Sequence, residues 1–235
     1  MPGSTAYRAR RARSEIVIGA DDDFATGALV GNLLLVRARA DQVSSWVGKG
    51  LVAAHVTPLG DWSAVTPARI AANTAAPYDD ARTTIAARPL AAALRPAIGF
   101  FVHGRRGVVV VSPPGWRAVK RWLIWAPGEG AVRAPRLANA RPADLVAVSG
   151  LAASGLPHVV AAVNSAHAGP LAWVSAVHAA LRLPGHSLLV EADAPRGSLV
   201  EPSPKRVAAF DKMAREEAAH RAEVDPPSPR DRRPS

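Results

Sequence analysis

An α+β fold, mainly an antiparallel sheet with packed helices, is what this sequence predicts, and three observations carry the prediction. Strand-like and helix-like segments alternate along the 235 residues. Short apolar runs meet at glycine-containing turns, as the arms of hairpins do. Beyond Pro142 the pattern turns predominantly helical. An apolar fraction of 49% with 20% charged residues is ordinary for a globular chain of this size. The expected organisation is one domain over residues 15–223, divisible into lobes 15–142 and 143–223. It lies between an arginine-rich arm at 1–14 and a Pro/Arg-rich tail at 224–235, both with the composition of disorder.

Taken in order, Asn32–Arg39 (NLLLVRAR) reads as a strand entering the core, and Asp41 then caps a short helix through Trp46. Val52–Thr57 and Trp62–Thr66 form a hairpin about Pro58-Leu59-Gly60-Asp61. A helix begins at Asp79-Asp80 and runs toward Arg95, interrupted near Pro89 because proline removes a donor and clashes with the preceding turn. Ile98–His103 and Val108–Val111 flank a tight turn, Gly104-Arg105-Arg106-Gly107. The four valines have no polar face, which predicts a central strand covered on both sides. Pro113-Pro114-Gly115 breaks the chain before a third strand at Arg121–Ala126, and Pro127-Gly128-Glu129-Gly130 turns into a short one at Ala131–Arg133.

Helices are expected over 143–152 and 170–182, while 158–164 (HVVAAVN) is a strand or a helix, since so short an apolar run has no decisive period. His186–Glu191 and Gly197–Val200 read as a second hairpin. Ser203-Pro204 opens a last helix, with Val207, Phe210, Met213 and Ala214 on one face. Val52–Pro67 and Ser187–Pro202 align without gaps and share Ser63/Ser198, Val65/Val200 and Pro67/Pro202. The finer expectation is therefore two βαββα-like units flanking a central β-meander.

Several classes of chemistry find no support. The chain has no cysteine, so disulfides and thiolate sites are excluded. Residues from Leu145 to Leu181 carry no charge, but Pro157 and Pro170 break the run, and core helices explain it better than a membrane span. Ile16-Val17-Ile18 is too short for the apolar stretch of an export signal, so a cytoplasmic protein is expected. Of 29 basic residues only Lys49, Lys120, Lys205 and Lys212 are lysine, which with the abundant alanine and proline looks like the codon bias of a GC-rich bacterial genome.

No phosphate-binding loop, dinucleotide fingerprint, G-x-S-x-G elbow or H-E-x-x-H appears. His158, His167, His178 and His186 are never spaced i,i+4. Asp21-Asp22-Asp23 reads as a turn or helix start before it reads as a cation site. His55 with Asp61 is the best acid/base pair on offer, and PPSPRDRR near the end suits a solubilising tail before a proline-rich ligand. No catalytic residue, metal site or cofactor is assigned.

Charge is the informative signal. Residues 1–80 carry eight basic and eight acidic side chains, and residues 144–235 carry ten of each. Residues 81–143 carry eleven basic side chains against Glu129 alone, the whole formal net charge of +10. Half of the six tryptophans, Trp116, Trp122 and Trp125, fall there too. The candidate binding residues are Arg105, Arg106, Trp116, Arg117, Lys120, Arg121 and Trp125. Against a surface role stands the alternation over 121–126, which puts large apolar groups on both faces of the strand, as in a strand buried twice. The expected function is a non-enzymatic binding or adaptor protein that meets an acidic protein partner. The alternatives are a nucleic-acid-binding protein using the same segment and an enzyme whose polar residues converge only in three dimensions.

Overall fold

The structure is a computed structural model that describes residues 30–74, 76 and 78–224. The arginine arm, Asp21-Asp22-Asp23 and the tail from residue 225 lie outside the described residues. Eight strands form one antiparallel sheet: β1 (Asn32–Val36), β2 (Ala54–Leu59), β3 (Trp62–Pro67), β4 (Ala97–His103), β5 (Arg106–Ser112), β6 (Arg121–Ala126), β7 (Gly130–Val132) and β8 (Ser198–Val200). Their spatial order is β7-β6-β5-β4-β1-β3-β2-β8.

Helices cover both faces. On one side lie α1 (Ala40–Gly48) and α2 (Ala81–Ala87). On the other lie α3 (Pro142–Ser149), α4 (Leu156–Asn164), α5 (Pro170–Ala180) and α6 (His186–Val190). The long α7 (Pro204–Val224) follows β8 and runs past the C-terminal end of α1. The period of two along each strand sorts the side chains into two cores. Leu33, Leu35, Ile98, Phe100, Val109 and Val111 meet the α3–α6 layer. Leu34, Val36, Phe101 and Val110 meet α1 and α2. The valine run is thus covered on both sides, as its lack of a polar face predicts.

Local chemistry explains most boundaries. The Asp80 carboxylate accepts from the Thr83 N–H at 2.8 Å and starts α2, which ends at Arg88 because Pro89 forces an extended residue before it. Gly104 takes φ +53° at the first of two loop positions between β4 and β5, a left-handed conformation that glycine alone adopts without strain. The α+β class and its antiparallel sheet agree with the sequence. Along the chain the first elements run β1-α1-β2-β3-α2.

The second unit is corrected. Residues 158–164 belong to a helix, α4, and His186–Val190 is a helix rather than a hairpin arm. β8 has no local partner; it pairs with β2 through Ala54↔Val200 and Val56↔Ser198. The three identities between Val52–Pro67 and Ser187–Pro202 therefore join a hairpin to a helix plus an edge strand, and they mark no structural repeat.

Candidate functional site

The central segment does not form a single patch. Arg105 and Arg106 sit at the β4–β5 turn, while the loop 113–120 leaves the opposite end of β5. Seven strand residues, roughly 20 Å, separate them. Trp125 is 4% exposed, stacked on Trp173 at 6.0 Å and edge-on to His167, so it is a core side chain and presents nothing to a partner. Arg121 points to the α3 side of the sheet and donates to Asp144 at 2.7 Å, tying β6 to the first turn of α3. That carboxylate also accepts the backbone N–H of Arg141.

What remains together is the loop. Trp116 is 76% exposed and Val119 64% exposed, and the Arg117 guanidinium lies 4.2 Å from the Trp116 ring centre. The loop is anchored from below by Arg95, whose Nη1 donates to the Gly115 and Ala118 carbonyls at 3.0 and 2.8 Å while its Nε donates to Leu90. Lys120 folds back to donate to the carbonyls of Ala86 and Arg88, closing the C-terminal end of α2. Burial, and next to it the charge of Arg95, pushes the Lys120 ammonium down to about 8. An exposed tryptophan on a loop held at two of its carbonyls and tied down by Lys120 is pre-organised, so little ordering entropy is left to lose when something binds it.

Two clefts continue from the loop along α2. One, of about 270 Å³, lies between Pro89, Leu90, Arg95, Lys120 and Trp122. The other, of about 170 Å³, lies between Arg82, Phe101, His103, Arg106, Val108 and Ile124. Trp122 walls both. β6 is therefore not buried twice: Leu123 and Trp125 are in the α3–α6 core, while Trp122 and Ile124 are only half-buried. Alternation along the strand separates these pairs but does not say which face is left thinly covered. The sequence analysis accordingly missed Trp122 and Arg95.

At the far end of the second cleft, burial opposes ionisation of Asp80. Hydrogen bonds from Arg82 and the Thr83 N–H outweigh it and hold the carboxyl below the usual range.

The remaining polar candidates do not converge. His55 Nδ1 contacts the Gly197 carbonyl, whereas Asp61 stands exposed at the β2–β3 turn, 4.0 Å from Arg37. Ser175 Oγ and His186 Nε2 are 2.9 Å apart, bridging α5 and α6. His178 hydrogen-bonds the Pro184 carbonyl. Among the described residues no three His, Asp or Glu gather as metal ligands, and no helix is long and apolar enough to cross a membrane. The chain matches no family model, no curated protein and no solved structure.

Proposed function

We propose that this is a non-enzymatic binding protein that takes an acidic segment of a partner protein on the loop 113–120 and the first cleft beside α2, between Pro89, Leu90, Lys120 and Trp122. The single observation behind this reading is Trp116, a large aromatic side chain left in solvent on an anchored loop and flanked by cations. Tryptophan with arginine is the combination that dominates binding energy at protein interfaces. The surrounding charge supports an acidic counterpart, because Arg95, Arg117 and Lys120 line or flank the site and no lining residue of the first cleft is acidic. Half-buried Trp122 and buried Leu90 supply an apolar floor. The arrangement suits an acidic peptide with one or two apolar anchors better than it suits stacked bases, since a single aromatic face is open.

The test is capture from the protein's own cell extract, with nuclease present, by wild type and by a Trp116→Ala/Arg117→Glu variant. An Arg105→Glu/Arg106→Glu variant, altered at the other end of the sheet, serves as the control. A stoichiometric protein retained by wild type and control, but lost from the loop variant, is the expected result. Equal capture by all three, or capture that vanishes with nuclease, overturns the reading; the second result puts nucleic acid in its place.

A further inference from the structure

A second basic site lies on the other flank of α2, away from the Trp116 loop. The chain turns outward at Pro89, and this leaves Arg88 pointing back over the C-terminal end of α1. Its guanidinium sits 4.2 Å from the centre of the Trp46 ring, and Trp46 is itself fixed by donating its indole N–H to the Pro89 carbonyl at 3.1 Å. Gly50 completes the seat, because any β-carbon at that position would collide with Arg88 Nη1. The seat is built, and what it holds is a cation.

Among the described residues no carboxylate pairs with that cation; the charged neighbours across the groove are Arg206, from the first turn of α7, and Lys49, which follows α1. Burial, with the nearby charge of Arg206, pushes the Arg88 guanidinium down to about 10. Arg88 is half-buried and Arg206 exposed at the groove's rim, so their like charges face each other with an opening between them, and two guanidinium groups can grip a phosphate or carboxylate through several N–H donors at once.

The rest of the groove is mostly apolar. Leu51, Pro89, Ala209 and Phe210 line it beside Thr83 and Thr84, with Phe210 packed edge-on against Tyr78 at 5.1 Å to close one side. Its volume is about 710 Å³, within the range of roughly 300–1,000 Å³ that small-molecule sites occupy. Few precise polar groups set in a mostly apolar concavity is also the general make-up of such sites.

We propose that the groove between α1, α2 and α7 binds a small amphipathic anion, its charged head between Arg88 and Arg206 and its apolar body against Pro89, Leu51 and Phe210. This goes beyond the adaptor reading and does not depend on it, because neither Arg88 nor Arg206 belongs to the Trp116 loop.

Titration calorimetry with n-octyl phosphate as monomer tests the proposal directly. Inorganic phosphate and n-octanol serve as the head-only and body-only probes. Octyl phosphate should bind with a dissociation constant on the order of 0.1 mM, and either half alone about tenfold or more weakly. Arg88→Gln and, independently, Arg206→Gln should each weaken octyl phosphate at least about tenfold. Arg206 is exposed on α7, so its variant keeps the test valid if the Arg88 variant does not fold. No heat at millimolar octyl phosphate overturns the proposal. So does equal binding of octanol, equal binding of inorganic phosphate, or unchanged binding by the Arg206 variant.

Discussion

His178 makes this protein lose stability in mild acid, by an amount the structure sets. The side chain is fully buried on α5, its ring edge-on to Phe100 at 5.0 Å and its Nε2–H donating to the Pro184 carbonyl at 3.1 Å. Burial, opposed by the Pro184 bond and reinforced by His186, pushes its pKa from 6.5 down to about 4. The unfolded chain therefore takes up a proton as the pH falls through 6.5, while the folded chain waits until about 4. Stability is complete above the unfolded value and drains away between the two. Between about pH 7.5 and about pH 4.5 the loss is about 2.5 kcal/mol, at about 1.4 kcal/mol per pKa unit.

Urea unfolding reads the loss directly. With a slope of about 2–3 kcal/mol per molar, the midpoint should fall by about 1 M over that interval on account of His178. His178→Leu removes the titrating group and keeps an apolar filling, so its midpoint should fall by about 1 M less than that of wild type over the same interval. Groups common to both proteins cancel in the comparison. Parallel midpoints for the two proteins at every pH would refute the reasoning.

Three further outcomes are expected. Trp125→Ala should cost about 3–5 kcal/mol in urea unfolding and weaken the near-ultraviolet circular dichroism of the Trp125–Trp173 stack, while leaving partner capture unchanged at sub-denaturing concentrations. Arg121→Gln, which breaks the pair with Asp144 at 2.7 Å, should cost about 1 kcal/mol of stability without weakening capture; a capture defect would place Arg121 in the binding surface after all. Asp80→Ala removes the cap of α2 and its bonds to Arg82, and should lower stability by about 1–2 kcal/mol, again by urea unfolding.

Much of the sheet was readable because its cues are local. Gly104-Arg105, Gly60-Asp61 and Pro127-Gly128 each sit between apolar runs, so the pairs β4–β5, β2–β3 and β6–β7 follow from adjacent residues. β8 is different: Gly197 contacts His55 across 142 residues, and three residues carry no pattern that could name so distant a partner. His186–Val190 was misread because an apolar run as short as Leu188–Val190 suits a strand as well as a helix until α5 and β1 are there to pack it. At the candidate site, composition singled out one stretch of chain and so merged the two ends of one strand. Only the length and direction of β5 separate Arg105 and Arg106 from Trp116. Arg88 gave no signal at all, since its seat is made by Trp46 and Gly50, some forty residues earlier.

β8 also fixes how the last part of the chain behaves in time. Three paired residues, the Gly197 contacts to Thr57 Oγ1 and His55, a bond from Ser203 to Gly48 and the Phe210–Tyr78 ring contact are among the fastenings that bring α7 back to the body. Closing so long a loop is slow, so this docking belongs late in folding. Fastened this lightly, the unit β8–α7 opens at a free energy well below that of global unfolding. Amide protons of residues 198–207 should then exchange long before those of β4 and β5, which hydrogen exchange would read as an edge strand that parts from the sheet before the other seven.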